Sequence, residues 1–208
     1  MFKPTEFTNK KALIIGAGKS GIACANLLIS KGFDVLLTEQ KKLNTKNGIF
    51  KKLNKKTVLE TGGHSKNIFS CDFSVKSPGI SNSSSIIKSL RKKSIPVFSE
   101  TEIALAFIKK AKLFAVTGTN GKTTTVTLLN EIFREEFKKS SRKTWVCGNL
   151  GRPASLIANK VKPGDFLAME ISSYQLEDSS HIKPDVSCIL NITPDHIDHH
   201  GSLNKYVQ

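Results

Sequence analysis

The stretch "AVTGTNGKTTT", residues Ala115–Thr125, brings a lysine, several hydroxyls and two glycines together. The usual phosphate loop, G-x-x-x-x-G-K-[ST], would place its first glycine at position 116, where Val116 stands. The shortened loop still supplies what a polyphosphate needs. Gly118 and Gly121 free the backbone so that N–H groups can turn inward, Lys122 brings a positive charge, and Thr123 or Thr124 brings a hydroxyl for Mg²⁺. A helix starting directly behind would add the partial positive charge of its N-terminus. Gly118, Thr119, Asn120, Gly121, Lys122, Thr123 and Thr124 therefore form the candidate nucleotide-phosphate site.

A second glycine pattern, Gly16-x-Gly18-x-x-Gly21, lies near the N-terminus. Its glycines allow a tight turn and let a phosphate approach the first helical N–H groups. Glu39 follows Gly18 by 21 residues, close to where an acidic side chain meets a ribose hydroxyl. This pattern alone suggests NAD, and a ligand-free strand–helix turn stands as the plainer reading.

Two later segments carry acid and imidazole groups. "FLAMEISSYQLE" ends an apolar run on Glu170, and "VSCILNITPDHIDHHGS" follows another with Asn191, Thr193, Asp195, His196 and Asp198. Ligands of an open parallel sheet gather at the carboxyl ends of its strands, which would bring Lys122, Glu170 and His196 to one edge. Glu170 suits Mg²⁺, whereas His196 is less usual for so hard a cation. A zinc site from His196, Asp198, His199 and His200 is the rival, although "HIDHH" lacks ordinary zinc spacing and a nearby cysteine pair. For His199 and His200 the simpler expectation is a solvated loop.

The elements that must hold these residues repeat one theme, strand then glycine loop then helix. Ala12–Ile15 reads as a strand, Ile22–Ser30 as a helix stopped at Gly32, and Asp34–Thr38 as the next strand. "CDFSVKSPGIS" gives a strand running into Ser77-Pro78-Gly79, and "IPVFSETEIALAF" a strand and a helix. The theme restarts with a strand over Leu113–Val116 and a helix from Thr123. That helix's apolar stripe of Val126, Leu129, Ile132, Phe133 and Phe137 is expected to be core. The alternation predicts two α/β layers with parallel sheets. A Rossmann-like domain would span 1–110, and part of a P-loop ATPase-type domain 111–208.

The chain has 208 residues, 38% hydrophobic and 24% charged, which is ordinary globular composition. No apolar run is long enough to span a membrane, and the N-terminus lacks the order of a secretory signal, so the expected setting is cytoplasmic. Cys24, Cys71, Cys147 and Cys188 are widely spaced and read as reduced thiols. A net charge of +15 could attract polyanions, but the lysines are scattered without interleaved aromatics, so no nucleic-acid partner is expected.

Together, "GTNGKTTT", "MEISSYQLE" and "LNITPDHIDHHG" resemble the Mur ligases, the ATP-dependent amide-forming enzymes of peptidoglycan precursor synthesis. With "SPGI" and the N-terminal glycine pattern, the resemblance narrows to the members that add D-glutamate to UDP-N-acetylmuramoyl-L-alanine. It covers essentially the whole chain. It implies a monomer using ATP and Mg²⁺, with an acyl-phosphate intermediate attacked by the amine of D-glutamate. Lys122 and Thr123 would then bind ATP phosphates and Mg²⁺, and Glu170 and His196 would hold metal. Asn149 and Ser172 would line the site near the UDP-sugar. The N-terminal domain would bind UDP, not NAD, through Lys19, Ser20, Glu39, Gln40, Lys41, Ser77 and Gly79.

Two departures from the family pattern stand out. His199 occupies a position where members often carry arginine. The family also continues past "KYVQ" with a lysine that is carbamylated in the active enzyme, and then with a third domain. The chain thus reads as a fragment or truncated product, expected to bind weakly and not to turn over. A sister ligase or a folylpolyglutamate synthase-like protein is the enzymatic alternative, and a non-catalytic nucleotide-binding remnant the alternative of another class.

Overall fold

The computed structural model describes residues 2–7, 9–44, 48–149, 151–179 and 181–207. Its first sheet is built from β1 (Lys11–Ile15), β2 (Asp34–Glu39), β3 (Val58–Thr61), β4 (Phe73–Lys76) and β5 (Val97–Ser99). The strands are all parallel, in the order β3-β2-β1-β4-β5. α1 (Lys19–Ser30) crosses from β1 to β2 and α2 (Ser85–Lys92) from β4 to β5, whereas α3 (Glu100–Phe107) leads from β5 to the second half. β1 is "KALII", buried at all but its first position, as a strand covered by helices on both faces must be. α1 begins three residues before the sequence-based expectation, at Lys19, so the helix includes Lys19 and Ser20.

The second sheet contains β6 (Lys112–Thr117), β7 (Thr144–Gly148), β8 (Phe166–Glu170) and β9 (Val186–Ile189), also parallel, in the order β7-β8-β6-β9. α4 (Lys122–Glu136) follows β6, and the short helices α5 (Ser173–Glu177), α6 (Ile197–His200) and α7 (Leu203–Val207) follow β8 and β9. β8 is one of the two inner strands of this layer, with every residue buried. Val126 is fully buried beneath α4, and Leu129, Phe133 and Phe137 pack beside it against Phe166. Ile132 corrects the expected stripe. It is 54% exposed, because six residues at 3.6 per turn carry it about 120° around the helix from Val126.

The two layers share one apolar core. Phe73, Val75, Ile103 and Ala104 from the first half form a single cluster with Cys147, Ile157, Leu167 and Met169 from the second. Polar ties reinforce the seam. Glu100, at 2% exposure, accepts from the Ser155 N–H at 2.7 Å, and burial holds its carboxyl above the ordinary value. Lys76 Nζ meets Asp178 at 2.5 Å with only 1% of its side chain exposed. A buried ion of this kind is tolerable only when paired, so removing either partner would strand a charge.

Asp165 closes the start of the second sheet. Its carboxylate accepts from the Lys143 N–H (2.9 Å), the Trp145 Nε1–H (2.8 Å) and the Lys162 N–H (2.9 Å). Burial pushes its pKa up, but those three bonds and the charge of Lys143 outweigh it and hold the carboxyl below its ordinary value. A depressed folded pKa stabilises above the unfolded value, near 4, and the contribution is lost as pH falls through the folded one. Asp165→Asn is therefore expected to be less stable at pH 7, with the gap from the unchanged chain closing below about pH 4. Urea midpoints across that range check it, and a gap independent of pH would contradict the assignment.

Candidate nucleotide and metal site

β6 delivers the chain into the loop over 118–121 at the carboxyl edge of the second sheet. Gly121 turns it in the left-handed region, φ 86°, and caps α4 without any side-chain bond, so the first-turn N–H groups remain open to an anion. The loop is braced from β9's side by Asn191, whose backbone C=O accepts from the Thr119 N–H at 3.0 Å. Its side chain accepts from the Asn120 N–H at 2.9 Å and donates to the Asn120 C=O at 3.0 Å. Lys122 Nζ donates to the carbonyls of Gly118 (2.5 Å) and Thr119 (2.8 Å) in its own loop. Thr119 Oγ1 lies 2.9 Å from the Tyr206 hydroxyl.

Glu170 ends β8, the strand next to β6, and is 3% exposed. Its two oxygens are divided between two partners. Oε2 accepts from the Thr123 hydroxyl at 2.7 Å, and Oε1 accepts from Asn149 Nδ2 at 2.9 Å. Of the two candidate hydroxyls, Thr123 is the one bonded to the carboxylate. A hydroxyl and a carboxylate at the mouth of a phosphate loop are hard oxygen donors, the set that suits Mg²⁺.

His196 is the other residue expected to hold metal. It follows β9 in the left-handed region, φ 50°, with its ring 4.8 Å from the Tyr174 ring and Nε2 3.6 Å from Asp195. No group of three or more His, Cys, Asp or Glu side chains is arranged to share a metal among the described residues. The zinc arrangement of His196, Asp198, His199 and His200 is therefore not assembled among the described residues. His199 and His200 are also not loop residues, since both lie in α6, packed on Tyr174 at 4.3 and 5.7 Å. His199 Nε2 lies 3.0 Å from Glu177, and His200 Nε2 lies 3.0 Å from the Ser173 hydroxyl. Burial favours the neutral form of Glu177, but bonds from His199 and Asn82 prevail and keep its carboxyl below the ordinary value. Burial and the neighbouring His199 push the His200 imidazole down.

A cavity of about 850 Å³ opens at the carboxyl edge of the first sheet and reaches the second. Lys19, Ser20, Glu39, Gln40, Ser77 and Gly79 lie on its first-half wall and Asn149 on its second-half wall. Lys41 does not line it and is exposed. Ser172 is 8% exposed, and its N–H and hydroxyl both bond Gln175 Oε1, at 3.0 and 3.2 Å, so Gln175 is the residue that lines the cavity. Glu39 braces the glycine loop: Oε2 accepts from the Ala17 N–H and Oε1 from the Lys41 N–H, each at 3.1 Å. His64, also on this wall, carries no motif that marks it in the sequence; only the fold brings it there.

Residues 10–99 match the Mur ligase MurD-like N-terminal domain, and residues 116–208 match the Mur ligase middle domain. The chain belongs to the Mur ligases. The UDP-N-acetylmuramoylalanine–D-glutamate ligase of Elusimicrobium minutum is 49% identical to this Mur ligase chain over 210 residues, covering 100% of the chain and 46% of the relative. The ligase of the same name from Chlorobium phaeobacteroides is 40% identical over 205 residues, covering 98% of the chain and 44% of the relative. The chain thus spans somewhat under half the length of these relatives. UDP-N-acetylmuramate-alanine ligase from Thermotoga maritima superposes with a TM-score of 0.55 at 23% identity, covering 94% of this chain and 45% of that one. UDP-N-acetylmuramate:L-alanyl-gamma-D-glutamyl-meso-diaminopimelate ligase from Neisseria meningitides gives 0.57 at 16% identity, covering 96% and 65%. These two show the shared Mur ligase fold, two parallel α/β layers. Among the described residues, no helix is long and apolar enough to cross a membrane.

Proposed function

We propose that the chain supplies the nucleotide-sugar and ATP-phosphate sites of an ATP-dependent ligase that adds D-glutamate to UDP-N-acetylmuramoyl-L-alanine in peptidoglycan precursor synthesis. Residues 1–110 would serve as the UDP-binding domain and 111–208 as part of the ATP-binding domain. The observation that carries this reading is Asn149. It lines the first-half cavity and also donates to Glu170, which in turn holds Thr123 of the phosphate loop. A nucleotide sugar lying in that cavity could therefore extend a carboxylate toward the γ-phosphate of a nucleotide on the loop. The two curated relatives are named for the same reaction.

The reaction needs two anions, a triphosphate and a carboxylate, to meet. The open N–H groups of α4 bind the phosphates, and Lys122 leaves the carbonyls of Gly118 and Thr119 to neutralise charge that builds as the phosphoryl group moves. The Thr123 hydroxyl and the Glu170 carboxylate would hold Mg²⁺, whose chemistry there would be further positive charge beside the phosphates. Asn149 orients the Glu170 carboxylate. The substrate carboxylate takes the phosphoryl group, the amine of D-glutamate displaces phosphate from the acyl carbon, and an amide forms.

Phosphate release by the complete gene product tests this. Release is expected to require ATP, Mg²⁺, UDP-N-acetylmuramoyl-L-alanine and D-glutamate together, and release indifferent to D-glutamate would contradict the reading. Glu170→Gln keeps the shape but removes the charge, so the Mg²⁺ concentration for half-maximal release is expected to rise by about 10- to 100-fold. An unchanged magnesium titration would remove Glu170 from the metal site.

A further inference from the structure

In a glycine-loop fold of this type the acidic residue ending the second strand ordinarily reads a ribose hydroxyl. Here each Glu39 oxygen accepts one backbone N–H, from Ala17 and from Lys41, which ties that carboxylate to the glycine loop. The neighbouring group on the same wall is His64. Its Nδ1 lies 2.7 Å from the hydroxyl of Thr38, a fully buried residue one position before Glu39 on β2. Its loop is pinned to the ends of β2 and β3 as well. The Gly62 N–H donates to the Glu39 C=O at 3.0 Å, and the Ser65 N–H donates to Glu60 Oε1 at 2.6 Å. Nε2, on the far side of the ring, has no hydrogen-bond partner among the described residues, and the residue lines the 850 Å³ cavity.

We infer that His64 Nε2 reads a ribose hydroxyl of the nucleotide in this cavity, beside Glu39; the inference rests on the nucleotide-sugar reading of that cavity. Two physical points support a hydroxyl over a carbonyl of the base. A hydroxyl both donates and accepts, so it can pair with Nε2 in either neutral tautomer, whereas a carbonyl pairs only with a protonated nitrogen. The Thr38 contact also fixes the ring next to the strand end where ribose recognition occurs in this architecture. The ring is held in place before any ligand arrives, which lowers the ordering cost of the bond. His64 is thus a specificity residue that distinguishes ribonucleotides from deoxynucleotides.

The test is calorimetric titration of the 208-residue chain with UDP, 2′-deoxyUDP and 3′-deoxyUDP, repeated with His64→Phe and His64→Gln. The chain is expected to bind at least one deoxy analogue about three- to tenfold more weakly than UDP, the worth of one neutral hydrogen bond. His64→Phe keeps the ring's bulk and should bind UDP no better than that analogue, so discrimination disappears. His64→Gln restores an amide within reach and should recover part of it. A His64→Phe protein that still discriminates as the original does would overturn the inference. Equal losses for UDP and both analogues would overturn it too, since that marks a brace for Thr38 and not a reader. Failure of the unaltered chain to bind UDP would instead bring down the nucleotide-sugar reading beneath it.

Discussion

Replacing Lys122 by alanine is expected to lower ATP-dependent phosphate release by the complete protein at least about 10²- to 10³-fold, the usual cost of removing one aimed donor from a developing anion. The loop has no second cation to take over. Lys122 is the only lysine or arginine between Lys112 and Arg134, and it sits on the first helical residue where phosphates meet the N-terminus of α4. In the absence of ligand its ammonium is held by the carbonyls of Gly118 and Thr119, so it is already near the loop's mouth and needs only to exchange partners. Lys122 does not line the first-half cavity, and UDP binding is therefore expected to survive the change. Phosphate release and UDP titration on the same preparation separate the two effects. Undiminished release would mean that the loop does not carry the phosphates.

Gly148→Ala is expected to destabilise the fold by about 3 kcal/mol or more and to dismantle the site with it. Gly148 ends β7 at φ 102°, and a Cβ there would stand 2.0 Å from the Glu170 carbonyl oxygen. That neighbour is backbone of the fully buried strand β8, so no side chain can swing aside. Either β7 or the end of β8 must move. The next residue, Asn149, donates its N–H to the same carbonyl at 3.0 Å and its amide to the Glu170 carboxylate. The strain therefore falls on the pair that joins the cavity to the phosphate loop. A lowered urea midpoint together with lost magnesium-dependent nucleotide binding is the expected outcome. A midpoint unchanged from the parent would contradict the packing described for β7 and β8.

Much of the fold was legible because the signals are local. Apolar runs such as "KALII" and "FLAME" between glycine loops mark strands covered on both faces, and the Gly-Lys-Thr order after a strand marks where a helix N-terminus must meet phosphate. Glu170 could be placed because it ends such a run. What escaped reading depends on distant partners. Glu39 has the spacing of a ribose reader, and its bond to the Ala17 N–H, 22 residues earlier, is a second task that the spacing does not announce. Ser172 has a hydroxyl suited to a site, but Gln175, one helical turn on, occupies it. Ile132 looks like core by hydropathy and fails only by its angle around α4. The Lys76–Asp178 pair joins residues 102 positions apart, beyond any pattern a short motif can carry.

The most direct measurement requires nothing beyond the chain itself. A non-hydrolysable ATP analogue would be titrated into residues 1–208 with and without Mg²⁺, before and after saturation with UDP-N-acetylmuramoyl-L-alanine. The account predicts saturable, magnesium-dependent binding that is lost with Lys122→Ala and that persists when the nucleotide sugar fills the first-half cavity. Absence of binding, binding indifferent to magnesium, or displacement of the analogue by the nucleotide sugar would contradict two adjoining sites bridged by Asn149 and Glu170.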